Sequence, residues 1–458
     1  MTSQGRKLFG TDGIRGVAGE FPLTPESSFL IGRALGHDLA KANPHPRVLI
    51  GQDTRESSSW IASQVAVGLA SANVEVSSAG VITTPGVAYL ARSQKFDAGV
   101  VISASHNPWT DNGIKVFSGD GFKLPDSHEL TIEQEIFSLL QSPRSNASLG
   151  STPPHTLPGE HALRTAYIAW LAKNVTTDLS RLRVLVDCAN GAAAAEAPEL
   201  FRAVKVQATF ISSSPDGKNI NEGCGALHPQ VVASRIAGAQ GKFDLGITFD
   251  GDADRALFSD ASGHVVNGDG VLLLAARDLR SRGLLRGNTV VATTMSNMGL
   301  EVALRNSGIK MLRANVGDKY VLEEMLKVGA TLGGEQSGHI IFRDGDATTG
   351  DGLLTALRVL EVMARSGRPL ADLISDLRVF PQRIQNIRVR EKVPFEQVPE
   401  IKRAIDAAER ELNGKGRVVV RYSGTEALAR VMVEAESEDE MNALTDGIGG
   451  AIKTALGS

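Results

Sequence analysis

The sequence has few cysteines and no long apolar run. Only two cysteines, Cys188 and Cys224, occur among 458 residues, and no second Cys or His set stands near them at metal-ligand spacing. This usage favours a reducing, cytoplasmic setting, with Cys188 in a core. No segment approaches the ~18 apolar residues of a membrane span, and the first ten residues lack the apolar core of a secretory signal. We therefore expect an unexported protein with no membrane partner.

Strong charge of either sign is also missing. The 48 Lys and Arg residues nearly balance the 52 Asp and Glu residues, which leaves a formal net charge of −4. Because no basic run suggests a nucleic-acid surface, we expect no nucleic-acid partner. Length, in contrast, is informative, since 458 residues are too many for one core and predict three or four domains of ~100–150 residues.

Alternating strand and helix patterns recur three times along the chain. The first copy covers 48–102, the second 184–249, and a fainter third 290–333. The third strands of the first two copies begin almost identically, with K-F-D-A-G-V at 95–100 and K-F-D-L-G-I at 242–247. This rhythm predicts three similar α/β units with mixed, largely parallel sheets.

Composition marks where these units end. A Pro-, Ser- and Thr-rich stretch from 142 to 158 separates the first unit from the second, and after 369 the pattern becomes that of a smaller C-terminal α+β domain. We expect four domains arranged around a central cleft. Their predicted boundaries are 1–152, 153–255, 256–372 and 373–458.

Each third strand ends in a polar loop. The first leads into S-A-S-H-N-P at 103–108, the second ends at Asp250, and the third ends at Glu335. Since α/β enzymes place their chemistry at the carboxyl edge of the sheet, three equivalent loops can surround one cleft and each supply a different group. For the loop that contains Ser105, an ordinary strand-to-helix cap is the alternative.

Three aspartates at every other position follow the second of these strands: Asp250, Asp252 and Asp254. In an extended chain they share one side, where like charges repel unless a cation lies among them. Hard oxygen ligands select Mg²⁺ or Ca²⁺. An EF-hand is excluded because Arg255 and Ala261 stand where its loop needs Gly and Glu. A solvated acidic turn is the alternative.

Two further loops offer groups suited to an anion or a sugar. The F-G-T-D-G-I-R-G stretch at 9–16 is a glycine-rich turn in which Arg15 can meet an anion, although a plain surface turn has the same composition. The stretch at 333–339 combines a carboxylate, an amide, a hydroxyl and an imidazole, which suit a polyhydroxylated ligand. These groups belong to Glu335, Gln336, Ser337 and His339. A tight glycine turn with an incidental His is the alternative.

A last loop follows the strand pattern at 418–420. Arg421, Ser423, Gly424 and Thr425 bring together a guanidinium fork, two hydroxyls and a glycine, which suit a phosphate nest. Arg430 adds a second positive charge nearby. A hairpin turn is the alternative, but a hairpin turn does not explain why two arginines occur here.

Together these loops resemble those of the α-D-phosphohexomutase superfamily over essentially the whole chain. Their spellings are similar to those of the bacterial phosphoglucosamine mutases. The motifs are G-T-D-G-I-R-G at 10–16, S-A-S-H-N-P at 103–108, D-G-D-A-D-R at 250–255, G-E-Q-S-G-H at 334–339 and S-G-T-E at 423–426. Relatives that act on mannose and glucose phosphates usually have Gly in place of Ala253 and Met in place of Gln336.

The resemblance implies an isomerase that carries a phosphoryl group on Ser105 and binds one Mg²⁺ per chain. It implies interconversion of glucosamine 6-phosphate and glucosamine 1-phosphate, for UDP-N-acetylglucosamine and cell-wall precursor synthesis. A glucosamine 1,6-bisphosphate would be the intermediate, and glucose or glucosamine 1,6-bisphosphate the activator. A hexosamine phosphate would be the substrate partner, and the chain would be a monomer or homodimer.

The same resemblance implies roles for residues that lie far apart in the sequence. The implied metal ligands are Ser105, Asp250, Asp252 and Asp254. The implied catalytic residues are Ser105, Lys115, Arg15, His106 and Arg255, with Lys115 the first candidate for general acid–base catalysis. The implied substrate-binding residues are Glu335, Ser337, His339, Arg421, Ser423, Gly424, Thr425 and Arg430.

Three residues depart from the usual sequence of this group. Tyr422 stands where Lys is common, Ala427 where Pro often follows the Glu, and Lys319 where Arg is usual.

Three other functions are alternatives to the one that the resemblance implies. A phosphomannomutase/phosphoglucomutase and a non-catalytic sugar-phosphate sensor are the alternatives on the same fold. A hydrolase is disfavoured because Ser103 and Asn107 occupy the glycine positions of a nucleophile elbow.

Overall fold

A computed structural model describes residues 8–10, 12–141, 157, 159–343, 345, 347–423 and 427–457. The chain divides into two compact units. The first comprises Met1–Thr294 and Leu312–Ile374, and the second comprises Met295–Met311 and Ser375–Ser458. Among the residues described, no helix combines the length and apolar character needed to cross a membrane.

A six-stranded sheet begins the first unit. Its strands are β1 (Phe9–Gly10), β2 (Gly13–Val17), β3 (Arg47–Gln52), β4 (Glu75–Val81), β5 (Ala98–Ile102) and β6 (Asp111–Ser118), and its helices are α1 (Pro25–Ala40), α2 (Glu56–Ser71), α3 (Thr84–Ser93) and α4 (Asp126–Leu140). The strand order is β1-β2-β6-β5-β3-β4, in which β3 pairs in parallel with β4 and β5. All five residues of β5 are buried, which explains its continuous apolar sequence.

The second sheet repeats this arrangement. Its strands are β7 (Arg183–Asp187), β8 (Gln207–Ile211), β9 (Leu245–Phe249), β10 (Ala256–Ser259) and β11 (Val265–Val266), and the helices of this part are α5 (His161–Lys173), α6 (Ala193–Ala203), α7 (Gln230–Gly238) and α8 (Gly268–Ser281). The strand order is β11-β10-β9-β7-β8, with parallel pairs around β7 and an antiparallel pair between β9 and β10. Therefore β9 takes the place that β5 takes in the first sheet.

The third sheet is smaller and follows the same plan. Its strands are β12 (Thr289–Thr293), β13 (Lys310–Ala314), β14 (Leu332–Gly334) and β15 (Ile340–Phe342), in the order β13-β12-β14-β15. The helices in the second stretch of the first unit are α10 (Asp318–Val328), α11 (Gly352–Ser366) and α12 (Leu370–Leu373). Here β14 has one parallel neighbour, β12, and one antiparallel neighbour, β15. In the same way, β5 and β9 each have one parallel and one antiparallel neighbour in their own sheets.

The second unit has a different architecture. It contains α9 (Met298–Asn306), β16 (Gln382–Arg388), α13 (Pro399–Leu412), β17 (Arg417–Tyr422), β18 (Leu428–Glu434) and α14 (Glu438–Leu456). The strands form an antiparallel sheet in the order β16-β18-β17. Buried residues of α13, β18 and α14, such as Ile401, Val431 and Ile452, form its core. This is the smaller α+β unit that the sequence predicts.

The predicted fold class, three similar mixed α/β sheets with a smaller α+β unit, is confirmed. In the first two sheets, parallel pairing extends to the edge strands β4 and β8. Antiparallel strands lie along the other edge of each α/β sheet. The sequence patterns missed α1 and β6. The latter begins with Asp111, Asn112 and Gly113, which conceal its strand character.

Candidate active site

Ser105 follows β5 at the carboxyl edge of the first sheet. Its side chain is buried, and its Oγ donates a hydrogen bond to the Asp250 carboxylate, 145 positions further along the chain. The Nδ1 atom of His106 lies 3.4 Å from the same oxygen. Ser105 adopts a left-handed backbone conformation with φ of 51°, which is uncommon for a residue with a Cβ. The first and second strand-end loops therefore meet at this hydroxyl.

The three aspartates follow β9 and form one buried cluster. Asp250, Asp252 and Asp254 each offer a carboxylate oxygen within 4.8 Å of the others. Burial, together with repulsion from Asp254 and Asp252, raises the pKa of Asp250 well above its ordinary value. A buried group of three acids is costly unless positive charge lies among them.

Two oxygens of this cluster fit a metal ion. Asp252 Oδ1 and Asp254 Oδ1 are buried and accept no hydrogen bond from any residue that the structure describes. Buried acceptors are normally satisfied, and three hard carboxylate oxygens at this spacing are a donor set suited to Mg²⁺. The backbone of the cluster is held by Thr84 N, which donates to Asp252 O at 3.0 Å. The arrangement of the carboxylates thus fits a divalent metal site.

Lys115 extends from β6 into the aspartate cluster. Its ammonium lies 2.9 Å from Asp12 Oδ2, 2.9 Å from Asp252 Oδ2 and 3.7 Å from Asp254 Oδ2. Burial alone would lower the pKa of Lys115, but the carboxylates of Asp12 and Asp252 outweigh it and raise the pKa well above its ordinary value. Lys115 is therefore positively charged at neutral pH.

A cavity of about 400 Å³ opens beside these groups. Its lining includes Arg15, His106 and Arg255, together with Glu335 and His339 from the loop after β14. Burial and the nearby Arg255 and Arg15 charges lower the pKa of His106, so its ring is neutral at pH 7. The cavity thus presents two guanidinium groups and a neutral imidazole to a ligand.

Two residues of the predicted sugar loop, Glu335 and His339, line this cavity, whereas Ser337 does not. Glu335 Oε1 accepts a hydrogen bond from Gly317 N at 3.1 Å, and Ser337 is half-buried two residues further on. His339 is buried, with its Nδ1 3.6 Å from Asp254 Oδ2. Burial alone would lower the pKa of His339, but the Asp254 carboxylate outweighs it and raises the pKa to about 9.

The arginines of the predicted phosphate nest lie in the second unit. Arg421 in β17 and Arg430 in β18 are direct partners in the antiparallel register, so their side chains leave the same face of the sheet. Ser423 is buried just after β17, whereas Gly424 and Thr425 lie outside the described residues. Tyr422 stacks on Phe395 with ring centroids 4.3 Å apart.

The sequence analysis missed several residues that organise the site. Asp12 bonds Arg15, Lys115 and Lys123, and Lys123 also lies 2.6 Å from Asp318. The position of Asp12 inside the glycine-rich motif at 10–16 could have indicated a role in the site. Lys123 and Asp318 stand outside all five motifs, so no such indication exists for them. Lys319, which stands where Arg is usual in the group that the motifs resemble, pairs with Asp126.

Two further missed residues hold the backbone of the serine loop. Arg55 and Asn221 both donate hydrogen bonds to the carbonyl oxygens of Ser105 and Asn107. Neither residue belongs to a motif that the sequence analysis singled out.

Models of phosphoglucomutase/phosphomannomutase domains match four successive parts of the chain. They are described as α/β/α domain I at residues 6–142, α/β/α domain II at 165–263, α/β/α domain III at 267–380 and the C-terminal domain at 385–449. The chain belongs to the phosphoglucomutase/phosphomannomutase family.

Curated relatives in this family narrow the assignment. A phosphoglucosamine mutase of Koribacter versatilis is 62% identical over 453 residues, which cover 99% of this chain and 98% of the relative. A phosphoglucosamine mutase of Solibacter usitatus is 50% identical over 452 residues, which cover 99% of both chains. The group predicted from the motifs, the bacterial phosphoglucosamine mutases, is confirmed.

Solved structures of family members share the fold. A phosphoglucomutase/phosphomannomutase family protein from Burkholderia thailandensis superimposes with a TM-score of 0.79 at 24% identity, covering 98% of this chain and 99% of that one. An N-acetylphosphoglucosamine mutase of Aspergillus fumigatus, in complex with GlcNAc-6P and magnesium, gives a TM-score of 0.64 at 19% identity and covers 99% and 96% of the two chains.

Proposed function

We propose that this chain is a phosphoglucosamine mutase, an isomerase that interconverts glucosamine 6-phosphate and glucosamine 1-phosphate. The observation that carries the proposal is the contact between Ser105 Oγ and Asp250 within a cluster that has two further buried carboxylate oxygens free to bind a metal. A serine beside a divalent metal site suits a phosphoryl carrier. The curated phosphoglucosamine mutases at 62% and 50% identity support the choice of substrate.

We propose that Ser105, Asp250, Asp252 and Asp254 hold one Mg²⁺, which would neutralise charge on the transferring phosphoryl group. The bond between Ser105 Oγ and phosphorus breaks as the free hydroxyl of the sugar phosphate forms its own bond to that phosphorus. The protonated Lys115 is suited to donate a proton to the departing serine oxygen. The neutral His106 is suited to accept the proton of the sugar hydroxyl.

The resulting glucosamine 1,6-bisphosphate must return its other phosphate to Ser105. This requires a site that holds either phosphate end, and the adjacent Arg421 and Arg430 in the antiparallel register support such a role. We assign Ser423, Gly424 and Thr425 to the same phosphate nest. Hydrogen bonds to the sugar are assigned to the loop after β14. The residues of that loop are Glu335, Ser337 and His339.

We also propose the finer properties that the resemblance implies. Glucose or glucosamine 1,6-bisphosphate would act as activator by loading Ser105, and Arg15 and Arg255 would stabilise the phosphoryl charge. A cytoplasmic location agrees with the two buried, unpaired cysteines. The monomeric or homodimeric state and the domain boundaries at 152, 255 and 372 stay predictions.

The proposal is tested by comparing kcat/KM for glucosamine, glucose and mannose 6-phosphates, with Mg²⁺ and bisphosphate activator present. We expect glucosamine 6-phosphate to be preferred and peptide mapping to locate phosphate on Ser105. A preference for mannose 6-phosphate would instead indicate a phosphomannomutase with the same mechanism. Absence of turnover with all three sugars would indicate a sugar-phosphate sensor.

A further inference from the structure

Two carbonyl oxygens of the serine loop each accept hydrogen bonds from the same two side chains. Arg55 Nη2 donates to Ser105 O at 3.0 Å and to Asn107 O at 2.7 Å. Asn221 Nδ2 donates to the same oxygens at 2.9 Å and 3.1 Å. We propose that Arg55 and Asn221 are positioning residues for phosphoryl transfer, which hold Ser105 in register with the aspartate cluster. This inference rests on the proposed mutase function.

Arg55 is fixed before any ligand arrives. Its side chain is buried and pairs with the buried Asp53 carboxylate. Asp53 is itself oriented, because its Oδ1 accepts hydrogen bonds from Ser58 Oγ at 2.7 Å and from Arg55 N at 3.0 Å. The pair adds no net charge to the site, so its contribution to the serine loop is geometric.

Asn221 reaches the serine loop from a different α/β sheet. It lies between β8 and α7, and its backbone N donates to Ala189 O at 2.9 Å. Its φ of 59° is a left-handed conformation that Asn tolerates better than most residues. The amide therefore joins the loop after β5 to the sheet whose strand β9 carries the three aspartates.

The aspartate loop approaches the same carbonyl from another side. A Cβ added to Gly251 would lie 2.5 Å from Ser105 O and 2.9 Å from Asn221 Nδ2. Only a glycine allows this close approach of the two loops. Ser105 O is thus enclosed by Arg55, Asn221 and the backbone next to Asp250, which together fix the distance between the serine hydroxyl and the metal site.

A mutase needs this distance to stay constant over a full turnover. Ser105 is in a left-handed conformation that its Cβ disfavours, so the loop relies on its partners to keep that conformation. It must keep it both with the phosphoryl group attached and after that group has moved to the sugar. A displacement of 1 Å can cost on the order of 100-fold in rate without loss of substrate binding.

The test compares Asn221→Gly with Asn73→Gly. Glycine tolerates the left-handed backbone at both positions, and Asn73, with φ of 60°, is exposed in the turn between α2 and β4. The full-length protein is first loaded with phosphate from glucose 1,6-bisphosphate. We then measure loss of Ser105 phosphate to glucosamine 6-phosphate in a single turnover, along with steady-state kcat and KM.

We expect Asn221→Gly to slow the single-turnover transfer and kcat by ~10–100-fold, with KM changed by less than ~3-fold. Asn73→Gly should retain the wild-type rates. Arg55→Lys, which keeps the charge opposite Asp53 but loses the planar fork, should produce the same split between kcat and KM. Because Arg55 and Asn221 bond the same carbonyls, their combined effect should be smaller than the product of the two single effects.

Transfer at the wild-type rate in folded Asn221→Gly and Arg55→Lys would overturn the inference. Equal losses in kcat and in substrate affinity would also overturn it, since that pattern indicates general damage to the cleft. If Asn221→Gly does not give the wild-type circular dichroism spectrum and thermal midpoint, the kinetics of Arg55→Lys decide. If wild-type phosphoprotein fails to transfer phosphate to any hexose phosphate, the proposed function itself is wrong.

Discussion

Asp252→Asn should impair the metal site while leaving the fold intact. The three aspartate oxygens lie within 4.8 Å of one another, and at the ~20 effective dielectric of protein sites each ionised pair repels by roughly 3 kcal/mol. Asp252 takes part in two of the three pairs and also bonds Lys115 at 2.9 Å. The substitution therefore relieves repulsion, loses the ion pair with Lys115 and weakens the hydrogen bond from Thr84 Oγ1. Because these effects oppose one another, the metal-free protein should change little in stability.

Metal binding and turnover should change much more. Asp252 Oδ1 is one of the two buried carboxylate oxygens that accept no hydrogen bond from described residues, and the variant places a neutral amide there. We expect a kcat loss of ~10²–10³-fold, comparable to removal of one electrostatic stabiliser of a transition state. The increase in thermal midpoint on addition of Mg²⁺ should shrink, because metal binding stabilises the folded state in proportion to its affinity.

Asp244→Asn is the matched control for this prediction. Asp244 precedes β9, at the end opposite the aspartate cluster, where it pairs with Arg183 at 2.7 Å. The control removes the same charge next to the same strand but away from the cluster, so it should keep both the wild-type kcat and the Mg²⁺-dependent midpoint. A wild-type kcat together with a full Mg²⁺ response in Asp252→Asn would refute the assignment of the cluster as the metal site.

Three further predictions follow from other parts of the structure. Lys115→Met should lower kcat by ~10²–10⁴-fold in steady-state assays, because it removes the proton donor, and an unchanged kcat would contradict that role. Arg421→Ala should raise KM for glucosamine 6-phosphate by ~10–100-fold, the value of a charged hydrogen bond, with Arg388→Ala in β16 as the control. Burial raises the pKa of Glu196 to about 8, above an ordinary value of 4.5, so the folded state loses stability as pH rises from about 4.5 to 8. Glu196→Gln should therefore raise the thermal midpoint more at pH 8 than at pH 5, and equal shifts would show that Glu196 does not titrate.

Local patterns were enough to predict the strands that carry the site. The apolar runs at 98–102 and 245–249 coincide with β5 and β9, since a strand buried on both faces must be spelled in apolar residues. Such runs depend on a few neighbouring residues, so the sequence displays them directly. The extended backbone predicted for the three aspartates is wrong, because they lie in a turn after β9 in which Ala253 N donates to Asp250 O at 3.1 Å and Ala253 has a left-handed φ of 52°.

Contacts that depend on register could not be predicted in this way. Lys115 reaches the aspartates because β6 pairs antiparallel with β5, opposite Val101, and a shift by one residue would turn its side chain to the other face. Arg55 and Asn221 lie 50 and 116 positions from Ser105, in stretches with no motif of their own. Only the packing of two sheets shows that both bond the same carbonyl.

The protonation state of the site also needed the structure. The spacing of Asp250, Asp252 and Asp254 predicts a cation, but it does not say how the excess negative charge is shared among the neighbours. The structure shows how neighbouring groups respond to that charge, because the pKa values of Asp250, Lys115 and His339 are all raised. A bound dication would oppose these shifts. The carboxylates proposed to bind the metal therefore also shift the pKa values of the groups around them, so we expect metal binding to change the proton affinity of Lys115.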